Sequence, residues 1–194
     1  MVTVRAHESL LVERFVASFE KLDEMTAWDH DTVASQLAVG DADQFGYKRW
    51  KPTSVDTRPE LLEPIYSKLP ARFPPLFERL VLSYRWAQID LQSCRLLANP
   101  PGPDLNGLFE QMSRDAILWG SLLRAGYIRF GMGTDVDYDP VCFDISSRKK
   151  NRDCRIVKID HEQILCNDRV KVVGEIAPSF EHLVVRTIDQ ANHP

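Results

Sequence analysis

The side chains able to do chemistry in this chain are few and scattered. Asp160, His161 and Glu162 stand in a row, a set of carboxylates and imidazole that suits metal ligation or general-base work. Neighbouring residues point in different directions, however. No second histidine stands at the i, i+4 spacing that would put two imidazoles on one helix face. A hydrolase or metalloenzyme around Asp160 and His161 is therefore a third functional reading, beside a plainer role for Asp160 as the cap of a short helix. A thiol nucleophile would need Cys142 or Cys166 beside His161 or His182. Cys142 lies between Val141 and Phe143, an apolar setting that raises a thiol pKa and leaves it inert. Asp135, Asp137 and Asp139 have the spacing of the first three ligands of an EF-hand calcium loop. Pro140 then stands where that loop requires glycine, and Ser146 where it requires a bidentate glutamate. A solvated hairpin loop is the simpler expectation. No G-x-S-x-G, P-loop or G-x-G-x-x-G pattern is present. The expectation is a protein that is not an enzyme, with no catalytic residues, cofactor or metal.

Charge points instead to surface recognition. Arg148, Lys149, Lys150, Arg152 and Arg155 form a basic cluster that would meet nucleic acid or an acidic partner, or simply keep a hairpin tip solvated. No aromatic residue is interleaved for base stacking, and the net charge of −4 argues against direct nucleic-acid binding. The first 45 residues hold nine acids and three bases, a local charge of −6. Such a segment would steer a basic protein partner, or act as a solvated helix face. Asp29, Asp31, Asp41 and Asp43 are its candidate partner-binding residues.

The elements that must position these groups follow from hydrophobic period. Leu11, Phe15, Phe19 and Leu22 predict an amphipathic helix over residues 8–25. A short helix is expected over 31–37, then irregular chain with one strand near 45–50. Pro59 opens another helix, ended at Leu69-Pro70. Pro74-Pro75 begins a helix running to residue 84, with Leu76, Phe77, Leu80 and Val81 inward. Residues 87–91 suit a strand, and residues 105–125 a helix in two pieces closed by Gly126. The period then changes. Residues 127–130, 141–145 and 155–159 read as successive strands of an antiparallel meander, with an edge strand at 170–173. Ser179 caps a last helix over 180–188.

The fold class expected is α+β: an antiparallel sheet in the C-terminal half wrapped by helices, with an N-terminal helical arm. Residues 1–60 form an acidic, mostly helical extension packed on a core over 61–190. The 194 residues can bury a real core, and no run approaches the roughly 18 apolar residues of a membrane span. The four cysteines include no C-x-x-C pair, and residues 1–8 carry no signal-like stretch. Free thiols in a reducing cytoplasm are the expectation.

The order of motifs carries a resemblance. Leu69-Pro70 and a helix ending Tyr84-Arg85-Trp86 come first, then Gly126-Tyr127-Ile128-Arg129-Phe130-Gly131 after a helix. Tyr138-Asp139-Pro140-Val141-Cys142-Phe143-Asp144, Asp160-His161-Glu162 and Pro178-Ser179-Phe180-Glu181-His182-Leu183 follow. Over residues 69–188 this set resembles the SUKH superfamily, which includes fungal cell-wall synthesis regulators and bacterial immunity proteins. The resemblance implies an α+β fold without catalysis. It implies a protein partner: a toxin domain, often a nuclease, or a cellular protein if the chain is an adaptor or regulator. The matched residues look mainly structural in that family, and the acidic extension lies outside the match.

Overall fold

The computed structural model describes residues 4–23, 25–28, 34–134 and 138–193. The chain opens with α1, Val4–Leu22. Leu11, Val12, Phe15, Val16 and Phe19 form its buried stripe, and Glu13, Arg14 and Glu20 face solvent. Three short strands follow, β1 (Thr26–Trp28), β2 (Ala38–Val39) and β3 (Tyr47–Trp50), arranged β1-β3-β2 and antiparallel. The helix expected over 31–37 is absent from its described end. Residues 35–37 make a turn in which Leu37 N–H and Ala38 N–H both donate to Ala34 O, and residues 31–33 lie outside the described residues. Pairing of Ala38 and Val39 with β3 draws the chain out of any helical path. Among the described residues, the first sixty thus hold one helix followed mainly by strand and turn.

β4 (Thr53–Ser54) pairs with β5 (Tyr84–Arg85). Between them run a 3-10 turn at Pro59–Leu62, α2 (Glu63–Tyr66) and α3 (Pro75–Ser83), the last begun by a proline whose missing N–H costs nothing there. β6 (Ile89–Asp90) and β7 (Arg95–Leu96) precede α4 (Asn106–Ser113) and α5 (Ala116–Arg124). The second half is β8 (Tyr127–Met132), β9 (Pro140–Asp144), β10 (Ile156–Ile159), α6 (His161–Asn167), β11 (Val172–Ala177) and α7 (Phe180–Asn192). The main sheet has six strands in the order β11-β10-β9-β8-β7-β6, every pair antiparallel. This is the expected α+β meander, with β11 as its edge.

Alternation along the strands gives the sheet two buried faces. Ile128, Phe130, Val141, Phe143 and Ile156 meet α1, α3 and α7 in the main core. Cys142, Val157 and Ile159 face Leu118 and Leu122 of α5 and Ile164 of α6. The N-terminal helix is part of this body: Phe15 lies 6.3 Å from Phe180, ring to ring, and Asp23 Oδ2 accepts the N–H of Asp90 at 3.0 Å. At the β8 bulge, a Cβ on Gly131 would stand 2.8 Å from Arg95 O, so glycine is what lets β7 pair there.

Phe77 is fully buried and touches four other phenylalanine rings. Phe77→Ala should cost about 3–5 kcal/mol, read as a lower urea midpoint at unchanged slope. Gly131→Ala should also lower the midpoint, through the clash with Arg95 O.

Candidate functional site

His161 is the first residue of α6, and Asp160 before it is the helix cap, accepting Gln163 N–H at 3.0 Å. Asp160 is therefore occupied with backbone, with Lys171 Nζ 4.0 Å away. The carboxylate that meets His161 is Asp139, from the approach to β9. Its Oδ1 lies 2.7 Å from His161 Nδ1 and accepts the His161 backbone N–H at 3.0 Å, while Lys158 Nζ stands 3.9 Å from Oδ2. Asp139 is 7% exposed, and its own carbonyl accepts Gly133 N–H. A carboxylate that fixes Nδ1 leaves Nε2 to take or give a proton, which is the geometry of an oriented general base.

The sequence offers Asp139 as a calcium-loop residue and as part of the Tyr138–Asp144 motif, not as a partner of His161; Asp135 and Asp137 of that loop lie outside the described residues. The pair with His161 joins positions 22 apart and has no local signature beyond an aspartate before the proline that starts a strand. No thiol joins it. Cys142 is fully buried, and burial pushes its thiol pKa up; Cys94 and Cys154 are pushed up to about 12 by the same cause. Cys166 is exposed, on α6. Among the described residues, no three histidine, cysteine, aspartate or glutamate side chains gather as metal ligands.

The basic cluster is partly committed to structure. Arg155 meets the buried Asp144 at 2.6 Å and Glu175 at 3.8 Å. Arg148 donates to the carbonyls of Arg72 and Arg152, while Lys149, Lys150 and Arg152 are exposed. Asp153 is buried and accepts the N–H groups of Cys154, Phe180 and Glu181, which secures the start of α7 together with Ser179. Burial alone would raise the Asp144 carboxyl, but hydrogen bonds from Ser146 and Arg155 and the Arg155 charge outweigh it and hold the group below the usual carboxylate range.

Of the four acidic residues singled out for partner binding, Asp29 and Asp31 lie outside the described residues. Asp41 is exposed in the β2–β3 connection. Asp43 is exposed too, but its Oδ1 accepts the N–H groups of Phe45 and Tyr47 at 2.8 and 2.9 Å. Gly46, at φ +84°, closes the turn with its N–H on Asp43 O. The result is a hairpin tip that carries Phe45, 66% exposed, with Val39 43% exposed at its base. The strand expected near 45–50 begins at Tyr47 instead, because Asp43-Gln44-Phe45-Gly46 is a turn held by the aspartate.

No protein-family model matches the chain, and no curated protein matches it. Among the described residues, no helix is long and apolar enough to cross a membrane.

Two measurements follow from this geometry. A thiol reagent at neutral pH should modify one cysteine quickly in the native protein and the other three only in denaturant, with Cys166→Ser removing the fast reaction. The lowered Asp144 pKa contributes stability above the unfolded carboxylate value of about 4, and that contribution disappears as pH falls through the folded value. The stability gap between the protein and Asp144→Asn, followed by thermal melts from neutral to acid, should be full at pH 7 and close on acidification.

Proposed function

We propose that this chain is a non-enzymatic binding protein of the SUKH type, an immunity protein that occupies and neutralises a toxin domain in the cytoplasm. The observation that carries this reading is the β2–β3 hairpin, which holds an exposed phenylalanine at its tip just after Asp41 and Asp43. Moving such a side chain from water into a partner's pocket would be favourable in proportion to the apolar area buried. Aromatic anchors of this kind dominate the energetics of protein interfaces.

Charge supports the kind of partner. Nine acids against three bases in the first 45 residues give −6, a complement to the basic groove of a nuclease. Such charges act over distance and speed encounter, while the buried anchor sets the lifetime of the complex. The partner is a protein; neither nucleic acid nor a membrane is part of this reading. The motif residues that suggest the family support it differently. Phe130, Phe143 and Phe180 are core members and Asp160 is a helix cap, as structural motif residues should be.

The test is co-purification from the native cell at moderate salt, followed by kinetics on the captured protein. The expected partner is a basic toxin domain whose activity falls on binding. Phe45→Ala should weaken the complex by about 2 kcal/mol or more, mostly through faster dissociation, while leaving the melting temperature unchanged. Asp29→Asn, Asp31→Asn and Asp41→Asn together should slow association and flatten its salt dependence. An acidic partner, or identical kinetics for all these variants, rejects the proposal.

A further inference from the structure

Arg85, in β5, is 4% exposed and belongs neither to the hairpin nor to the Asp139–His161 pair. Its Nη1 donates to the carbonyls of Val81 and Tyr84 at 2.8 and 3.1 Å, and its Nη2 to Thr57 Oγ1 at 2.7 Å. These acceptors are all neutral. Among the described residues no carboxylate pairs with this guanidinium. Burial lowers its pKa, with no opposing charge to raise it. A buried cation without an anion is an unusual arrangement, since desolvation is repaid mainly by a counter-charge. The carbonyls at the end of α3 offset part of that cost. Three hydrogen bonds leave two of the roughly five N–H donors of a guanidinium unspent.

Those donors have somewhere to go. Arg85 lines a cleft of about 410 Å³, between the chain that follows β4 and the Pro101-Gly102-Pro103 loop. Val55, Leu61 and Pro101 give it apolar walls, Thr57 adds a hydroxyl, and exposed Arg58 stands at its rim. Asp56 is the one acid among the lining residues, so two arginines face it. The prolines fix the loop wall in place, so the cleft is formed before anything enters it. Its volume lies in the range of small-molecule sites, about 300–1,000 Å³, and its character is theirs as well: mostly apolar, with a few convergent polar groups.

We infer that this cleft binds a small organic carboxylate, its two oxygens on the remaining N–H groups of Arg85, its charge shared with Arg58, and its apolar body against Val55, Leu61 and Pro101. A planar carboxylate matches two leftover guanidinium donors. A phosphate would ask for more donors than remain and would meet Asp56 with greater charge. This site is independent of the proposed toxin partner, and either can fail without the other.

The test is an NMR titration of the full chain with benzoate, benzamide and inorganic phosphate. Benzoate should shift the amides of Thr57, Arg58 and Gly102 saturably, and benzamide and phosphate should bind at least tenfold more weakly. Arg58→Ala should weaken benzoate several-fold. Val55→Trp, a filling substitution at an exposed position, should abolish binding without disturbing the fold. It keeps the test decisive should Arg85→Gln, which also loses the contacts to the end of α3, fail to fold. No saturable shift, benzamide or phosphate binding as tightly as benzoate, or unchanged affinity in Val55→Trp overturns the inference.

Discussion

The packing around the Phe77 ring is the contact on which the rest of the molecule depends. This side chain from α3 lies 5.1–5.6 Å, ring centre to ring centre, from Phe73, Phe130, Phe143 and Phe180, all at steep interplanar angles. Phe130 and Phe143 stack on each other at 4.1 Å across β8 and β9. One cluster therefore joins a helix from the first half, two central strands of the sheet, and the closing helix. Edge-to-face contacts of this sort are directional, so they set orientation as well as burying area. The β8 bulge, the glycine under it and the cap of α7 all serve to bring those rings to one place.

Buried and half-buried aspartates do the complementary work at the ends of the elements. Asp153 gathers the N–H groups of Phe180 and Glu181 at the start of α7 together with that of its neighbour Cys154, Asp144 takes Ser146 and Arg155, and Asp23 ties the end of α1 to β6. Each carboxylate satisfies donors that would otherwise be buried without partners. These acids are consequently committed to structure. The proposed recognition rests instead on surface features: the hairpin with Phe45, the acids of the N-terminal segment, and the cleft over Arg85. The imidazole of His161 is different again, oriented by Asp139 through its Nδ1.

Much of this was legible in the sequence, because it depends on local period and local capping. The helical spacing of Leu11, Phe15 and Phe19, the apolar strand at Val141-Cys142-Phe143, and the caps at Asp160 and Ser179 all reappear in the structure. So does the burial of Cys142, which raises its thiol pKa and which its apolar neighbours already implied. The expected helix over 31–37 did not survive at its described end, because pairing with β3 outweighs weak local propensity in so short a segment.

Tertiary structure alone decided the rest. Asp139 and His161 meet across 22 residues, Arg85 and Thr57 across 28, Asp23 and Asp90 across 67. The two-residue strands β6 and β7 exist as strands because β8 offers β7 a partner and β7 in turn pairs β6, the turn at Asp43 turns Phe45 outward, and the lack of a counter-ion at Arg85 among the described residues is a property of everything packed around it. Periodicity and capping are governed by neighbours along the chain, which a sequence displays directly. Ion pairing, clefts and exposure are governed by neighbours in space, which exist only after the chain has closed its loops around the Phe77 cluster.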